Sequence, residues 1–126
     1  MAASVKEMLA EANAAVPKVS PAEARKAMEE GALVVDVRDA PELEANGKIP
    51  GALHVPRGML EFRADPDSPY YNDAFRKERK IILHCASGGR SALAGKVLKD
   101  FGYTQVYNLG AFKDWVESGG PVEKKA

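Results

Sequence analysis

The chain has 126 residues, 45% of them hydrophobic, enough to bury one core and too few for two. Eighteen basic residues balance eighteen acidic ones, with no basic run, so no field is available to hold nucleic acid or an anionic membrane. The single cysteine excludes an internal disulfide and a cysteine-rich metal site, and the two histidines do not lie at metal-ligand spacing with it, so no metal or cofactor is expected.

Met1 to Ser20 has no continuous apolar segment, so it reads as neither a signal peptide nor a membrane span, and a cytoplasmic protein is expected. Ser4 with Glu7 makes a capping-box pattern, and Val5, Met8, Leu9, Ala12 and Val16 follow at helical spacing, which predicts an amphipathic helix that ends before Pro17. Val19 is read as a short first strand. Ser20, Pro21 and Glu23 then open a second helix that Gly31 closes.

Leu33-Val34-Val35-Asp36-Val37 is an apolar run broken by one acid near its end, the pattern of a buried parallel strand with a polar group at its C-terminal edge. Asp39 with Glu42 caps a short helix that stops at Gly47, and Ala52 to Val55 reads as a strand ended by Pro56. Gly58 to Phe62 has room for one or two helical turns. Asp65 to Asn72 is turn-rich, and Phe75 to Lys80 reads as a charged, exposed approach to the next strand.

That strand, Ile81 to Cys85, ends at the lone cysteine. Ala86-Ser87-Gly88-Gly89-Arg90-Ser91 leads from it into a helix whose stripe is Leu93, Val97, Leu98 and Phe101, closed by Gly102. Gln105 to Leu109 reads as a strand. Gly110 opens a last helix, in which Phe112 and Trp115 are core residues, and Val122 to Ala126 is expected to fray. Strands alternating with helices predict an α/β fold, a mainly parallel sheet with helices on both faces.

The cysteine loop carries the chemistry. A tight turn of small residues between a strand and a helix converges backbone N–H groups on one point, and the helix N-terminus adds partial positive charge. Cys85 faces that field, which favours the thiolate, and Arg90 adds a cation at the far end of the loop. The expected roles are therefore Cys85 as nucleophile and Ala86, Ser87, Gly88, Gly89, Arg90 and Ser91 as the cradle for an anionic substrate. His84 points to the opposite face of its strand and is read as a packed or capping histidine.

Asp36-Val37-Arg38, Glu42, Gly47-Lys48-Ile49-Pro50-Gly51-Ala52, Cys85-Ala86-Ser87-Gly88-Gly89-Arg90-Ser91, and Gly110 followed by Trp115 resemble, in that order, the motifs of a single-domain rhodanese. Lys48 stands where that family often has histidine, and Ala111 where it often has a second glycine. The resemblance runs from about Val19 to Pro121. It implies a rhodanese-like domain over 19–121 with a five-stranded mainly parallel sheet, a helical extension over 1–18 and a frayed tail over 122–126. It also implies that Cys85 takes a sulfane sulfur from a donor such as thiosulfate, becomes a persulfide, and passes the outer sulfur to a thiol or cyanide. Asp36, Arg38 and Glu42 are carried over as supports, with Arg38 paired to Glu42.

Two other readings compete with a free-standing sulfurtransferase. A persulfide carrier or redox-sensing module would use the same cysteine, loaded by a sulfur-relay partner protein or oxidised to sulfenic acid. A cysteine-dependent phosphatase or arsenate reductase would also use a Cys loop ending in Arg on a helix. Only four residues separate Cys85 from Arg90, however, a tighter cradle that suits one sulfur better than a whole phosphate, and the loop offers no acid for a leaving group.

Overall fold

A computed structural model describes residues 3–124. Helix α1 (Val5–Ala15) is capped by the Ser4 hydroxyl, and α2 (Pro21–Glu29) by a full capping box in which Ser20 and Glu23 satisfy each other's backbone N–H. There follow β1 (Leu33–Asp36), α3 (Ala40–Asn46), β2 (Leu53–His54), a 3-10 turn (Arg57–Met59) running into α4 (Leu60–Ala64), β3 (Ile81–Cys85), α5 (Gly89–Asp100), β4 (Val106–Ala111) and α6 (Phe112–Glu117). No helix among the described residues is long and apolar enough to cross a membrane.

The strands form one parallel sheet in the order β2-β1-β3-β4. Every residue of β1 and of β3 is buried, as expected of central strands covered on both faces. One face carries Val35, Leu83, Cys85 and Val106 against Val16, Leu60, Ala94 and Leu98. The other carries Val34, Ile82 and Leu109 against Ala24, Phe112 and Trp115. α1 closes the first face: Val16 sits in the notch at Gly95 of α5, where an added Cβ would meet it at 2.9 Å.

Three expectations need correction. The fifth strand at Val19 is reduced to a single parallel bridge between Lys18 and Asn108, in which the Asn108 N–H donates to the Pro17 carbonyl and the Val19 N–H to the Asn108 carbonyl. Pro17 has no N–H to extend the ladder, and α2 takes over at Ser20, so the sheet has four strands. Phe75 is not exposed: it is fully buried, edge-on to Tyr103, and anchors the turn-rich segment from below. The tail holds as far as Glu123, which exchanges two backbone hydrogen bonds of 2.9 Å with Lys48. The last two positions of the expected frayed tail lie outside the described residues.

Candidate active site

Cys85 is the last residue of β3, at the C-terminal edge of the sheet where open α/β folds place their ligands. The chain then turns through Ala86 and Ser87 and enters α5 at Gly89, with Gly88 as N-cap in the left-handed region, φ 99°. That backbone requires glycine and turns the Gly88 N–H onto the Cys85 sulfur at 3.0 Å. Gly88 also lies against Gly110, whose own φ of 90° follows a register shift between β3 and β4, so the loop is packed from behind.

The Cys85 side chain is buried, which pushes its thiol up. Against that stand the donors within reach of the sulfur, the Ser91 hydroxyl 3.5 Å away and the backbone N–H groups of Ser91, Gly88 and Ser87, which together outweigh burial and bring the thiol below the ordinary cysteine range when that hydroxyl is turned to the sulfur. Of the residues expected to form a cradle, Ser87, Gly88 and Ser91 bring their N–H groups to the sulfur. Ala86 is exposed and opens onto a surface cavity of about 460 Å³ that also touches Arg38, Phe112 and Lys113. Gly89 begins α5 with Leu9 of α1 beside it.

The charged residues pair differently from the expectation. Arg38 does not reach Glu42. It is buried against Asp36, with Nη2 to Oδ2 at 2.8 Å and Nε to Oδ1 at 3.0 Å, donates to the Gly47 carbonyl at 2.8 Å, and lies over the Phe112 ring at 4.2 Å. Burial pushes the Asp36 carboxyl up, but the Arg38 hydrogen bonds and the neighbouring charges hold it below the usual range. Glu42 instead takes Arg90 in a two-pronged pair, 2.7 and 2.9 Å, and the Arg90 hydrogen bonds hold the Glu42 carboxyl down at about 2. Arg90 is thus not a free cation waiting for an anion; it ties α3 to the start of α5.

Asp36, Arg38 and His84 share the face of the sheet opposite Cys85, so they support the sheet edge without touching the sulfur. His84 is fully buried, stacks on Phe112 at 5.9 Å, and sits 3.6 Å from Asp36. Neither of its ring nitrogens has a hydrogen-bond partner among the described residues, which fits a packed neutral imidazole rather than a general base. Burial pushes its pKa down to about 4, from 6.5 for a free imidazole.

That depression sets a pH dependence. As pH falls below about 6.5 the unfolded chain takes a proton that the folded one refuses, so stability drops from there towards pH 4. Denaturant unfolding at pH 7 and pH 5 is expected to show a loss of about 2 kcal/mol, much of it absent in His84→Leu. Asp36 and Glu42 are held below their ordinary carboxylate values, which themselves lie under about pH 5, so they contribute little to the difference between pH 7 and pH 5.

Asn108 escaped the sequence reading. It is a buried polar residue in β4, its amide oxygen 2.7 Å from the Ser91 hydroxyl and its amide nitrogen 3.3 Å from the Gly88 carbonyl. The signal was available: Asn108 interrupts the apolar run of its strand as Asp36 does in β1. Among the described residues no group of three or more His, Cys, Asp or Glu side chains is placed to hold a metal ion.

Residues 20–118 match the family model described as a rhodanese-like domain. A sulfurtransferase of Allochromatium vinosum is 34% identical over 99 residues, covering 78% of this chain and 84% of that protein. The human thiosulfate:glutathione sulfurtransferase is 31% identical over 112 residues, covering 82% of this chain and 96% of its own. A solved structure from Rhodopseudomonas palustris, of a protein of unknown function described as a possible tyrosine phosphatase, superposes with a TM-score of 0.88 at 40% identity, covering 98% of this chain and 96% of that one.

Proposed function

This chain belongs to the single-domain rhodanese-like sulfurtransferase family, and from that membership and the geometry of the loop we propose that it moves a sulfane sulfur from a donor such as thiosulfate to a thiol or cyanide through a persulfide on Cys85. The observation that carries the reading is the Gly88 N–H, aimed at the Cys85 sulfur from the left-handed N-cap of α5.

In the first half-reaction the Cys85 thiolate attacks the outer sulfur of thiosulfate. The S–S bond of the donor breaks, sulfite leaves with the electron pair, and the outer sulfur stays on Cys85 as a persulfide anion. The backbone N–H groups of the loop and the positive end of α5 hold that negative charge in place. In the second half-reaction cyanide or a thiolate attacks the outer sulfur, the new bond forms as the inner S–S bond breaks, and Cys85 returns as thiolate. The loop favours the thiolate, the form that attacks, so the reading invokes no general base, consistent with a neutral His84 on the far face.

The Rhodopseudomonas palustris description makes phosphate ester hydrolysis the reading to set beside this one. Two features here oppose it: only four residues separate Cys85 from Arg90, and Arg90, the group that would clasp an oxyanion, is committed to Glu42. A persulfide carrier uses the same sulfur chemistry, and turnover separates the two. With thiosulfate and cyanide both varied, initial rates are expected to give the parallel reciprocal plots of ping-pong transfer, and an aryl phosphate is expected to stay intact. One equivalent of thiocyanate per protein and no more would make the chain a carrier; release of phosphate would overturn the sulfur reading.

A further inference from the structure

The hydroxyl of Ser91 has one proton and three acceptors within reach: the Asn108 amide oxygen at 2.7 Å, the Gly88 carbonyl at 3.2 Å and the Cys85 sulfur at 3.5 Å. Which one receives it follows from the surroundings. The Gly88 carbonyl only accepts, so the half of the Asn108 amide that faces it at 3.3 Å must be the NH2 group. The amide oxygen therefore faces Ser91. Two oxygens 2.7 Å apart need a proton between them, an amide oxygen has none to give, and so Ser91 donates to Asn108. The Ser91 oxygen is left with lone pairs, not a proton, for the sulfur.

The packing makes this arrangement stiff. Ser91 is fully buried and Asn108 nearly so. Both Asn108 backbone groups are taken, its N–H by the Pro17 carbonyl and its carbonyl by the Val19 N–H, and the residue stands opposite Leu83 of β3. We propose that Asn108 is a positioning residue of the sulfur site, which holds the Ser91 hydroxyl turned away from Cys85 so that the resting sulfur is held by the Gly88 N–H and not by that hydroxyl. A thiolate with one donor fewer is more basic, and its intrinsic nucleophilicity rises with its basicity. Asn108 thereby keeps Cys85 reactive towards the donor in a site whose other features all favour a quiet thiolate.

The inference rests on Cys85 being the reacting centre, but its test reads the sulfur directly and uses neither donor nor acceptor, so failure of sulfur transfer leaves it open to trial. Cys85 is the only cysteine, and the pH dependence of its alkylation by iodoacetamide gives both a titration midpoint and a limiting thiolate rate. In Asn108→Leu, which keeps the shape of the side chain and removes its acceptor, the freed hydroxyl turns to the anionic sulfur. The midpoint is expected to fall by about one pH unit, and the limiting rate by about threefold. Ser91→Ala alone is expected to move the midpoint little, and Asn108→Leu is expected to have no further effect on the midpoint in the Ser91→Ala background.

The other charged groups around the site are Arg90 of α5 with its partner Glu42 of α3, Asp39 beside them, Lys18 and Asp114 along the cavity that Ser87 and Gly88 line, and Asp36, Arg38 and His84 across the sheet. All are the same in every variant, so they cancel in the comparison. A merely structural Asn108 gives the opposite sign: a loosened loop withdraws the Gly88 N–H and raises the midpoint. A rise in Asn108→Leu, or an equal shift with Ser91 absent, overturns the proposal. So does a rise of about one unit in Ser91→Ala alone, since that would mean the hydroxyl already donates to sulfur. This last variant decides the matter even if Asn108→Leu does not fold.

Discussion

Cys85→Ser is expected to lower sulfur transfer from thiosulfate by roughly three orders of magnitude or more, to the level of the uncatalysed background, while the protein stays folded. Serine at this site meets the same donor, the Gly88 N–H that lies 3.0 Å from the sulfur, so the loop keeps its shape. What is lost is the sulfur itself: an alcohol in the same field remains protonated at neutral pH, and no S–S bond can form to store the transferred atom. Thermal unfolding of the variant within a few degrees of the wild type, with transfer abolished, is the expected pair of results. A variant that keeps a substantial part of the activity would remove Cys85 from the mechanism.

The largest expected effect on stability comes from the other face of the sheet. Asp36→Ala strands the Arg38 guanidinium, which is 1% exposed and among the described residues keeps only the Gly47 carbonyl and the Phe112 ring as partners. Leaving one member of a buried ion pair uncompensated costs about 3–5 kcal/mol. For a chain of this length that lowers the midpoint of thermal unfolding by on the order of 10–20 °C. Adding Arg38→Met is expected to recover part of the loss, because removing both charges also removes their desolvation cost. The double variant tells a paired charge from a catalytic one: below its melting temperature it should transfer sulfur at a rate close to wild type. A melting temperature unmoved by Asp36→Ala would contradict the buried pair.

Much of this architecture can be read from the residues because it is locally encoded. Ser20 with Glu23 and Asp39 with Glu42 announce their helices within one turn, and the runs at Leu33 and Ile81 announce strands covered on both sides. The cysteine loop is equally legible, since the strand, the small residues and the following helix lie consecutively in the chain.

The misread features depend on contacts that sequence distance hides. The family resemblance pairs Arg38 with Glu42, four residues away, yet the actual partner of Glu42 is Arg90, brought in by the fold from 48 positions along the chain. Arg38 turns back onto Asp36, two residues before it, because both stand at the same sheet edge on the same face. Phe75 sits among charged neighbours and looks exposed; only the packing of the turn-rich segment over Tyr103 buries it. Asn108 is the informative omission. A polar residue within a buried strand needs a partner, and its partners, Gly88 and Ser91, belong to the loop that carries the chemistry.

The measurement that bears most directly on the central claim is the intact mass of the reduced protein after exposure to thiosulfate, followed by addition of cyanide or a small thiol. The account predicts a gain of one sulfur atom on the wild type, absent from Cys85→Ser and lost again when the acceptor is added. A mass that does not change with thiosulfate, or a sulfur that appears equally on the serine variant, would contradict it.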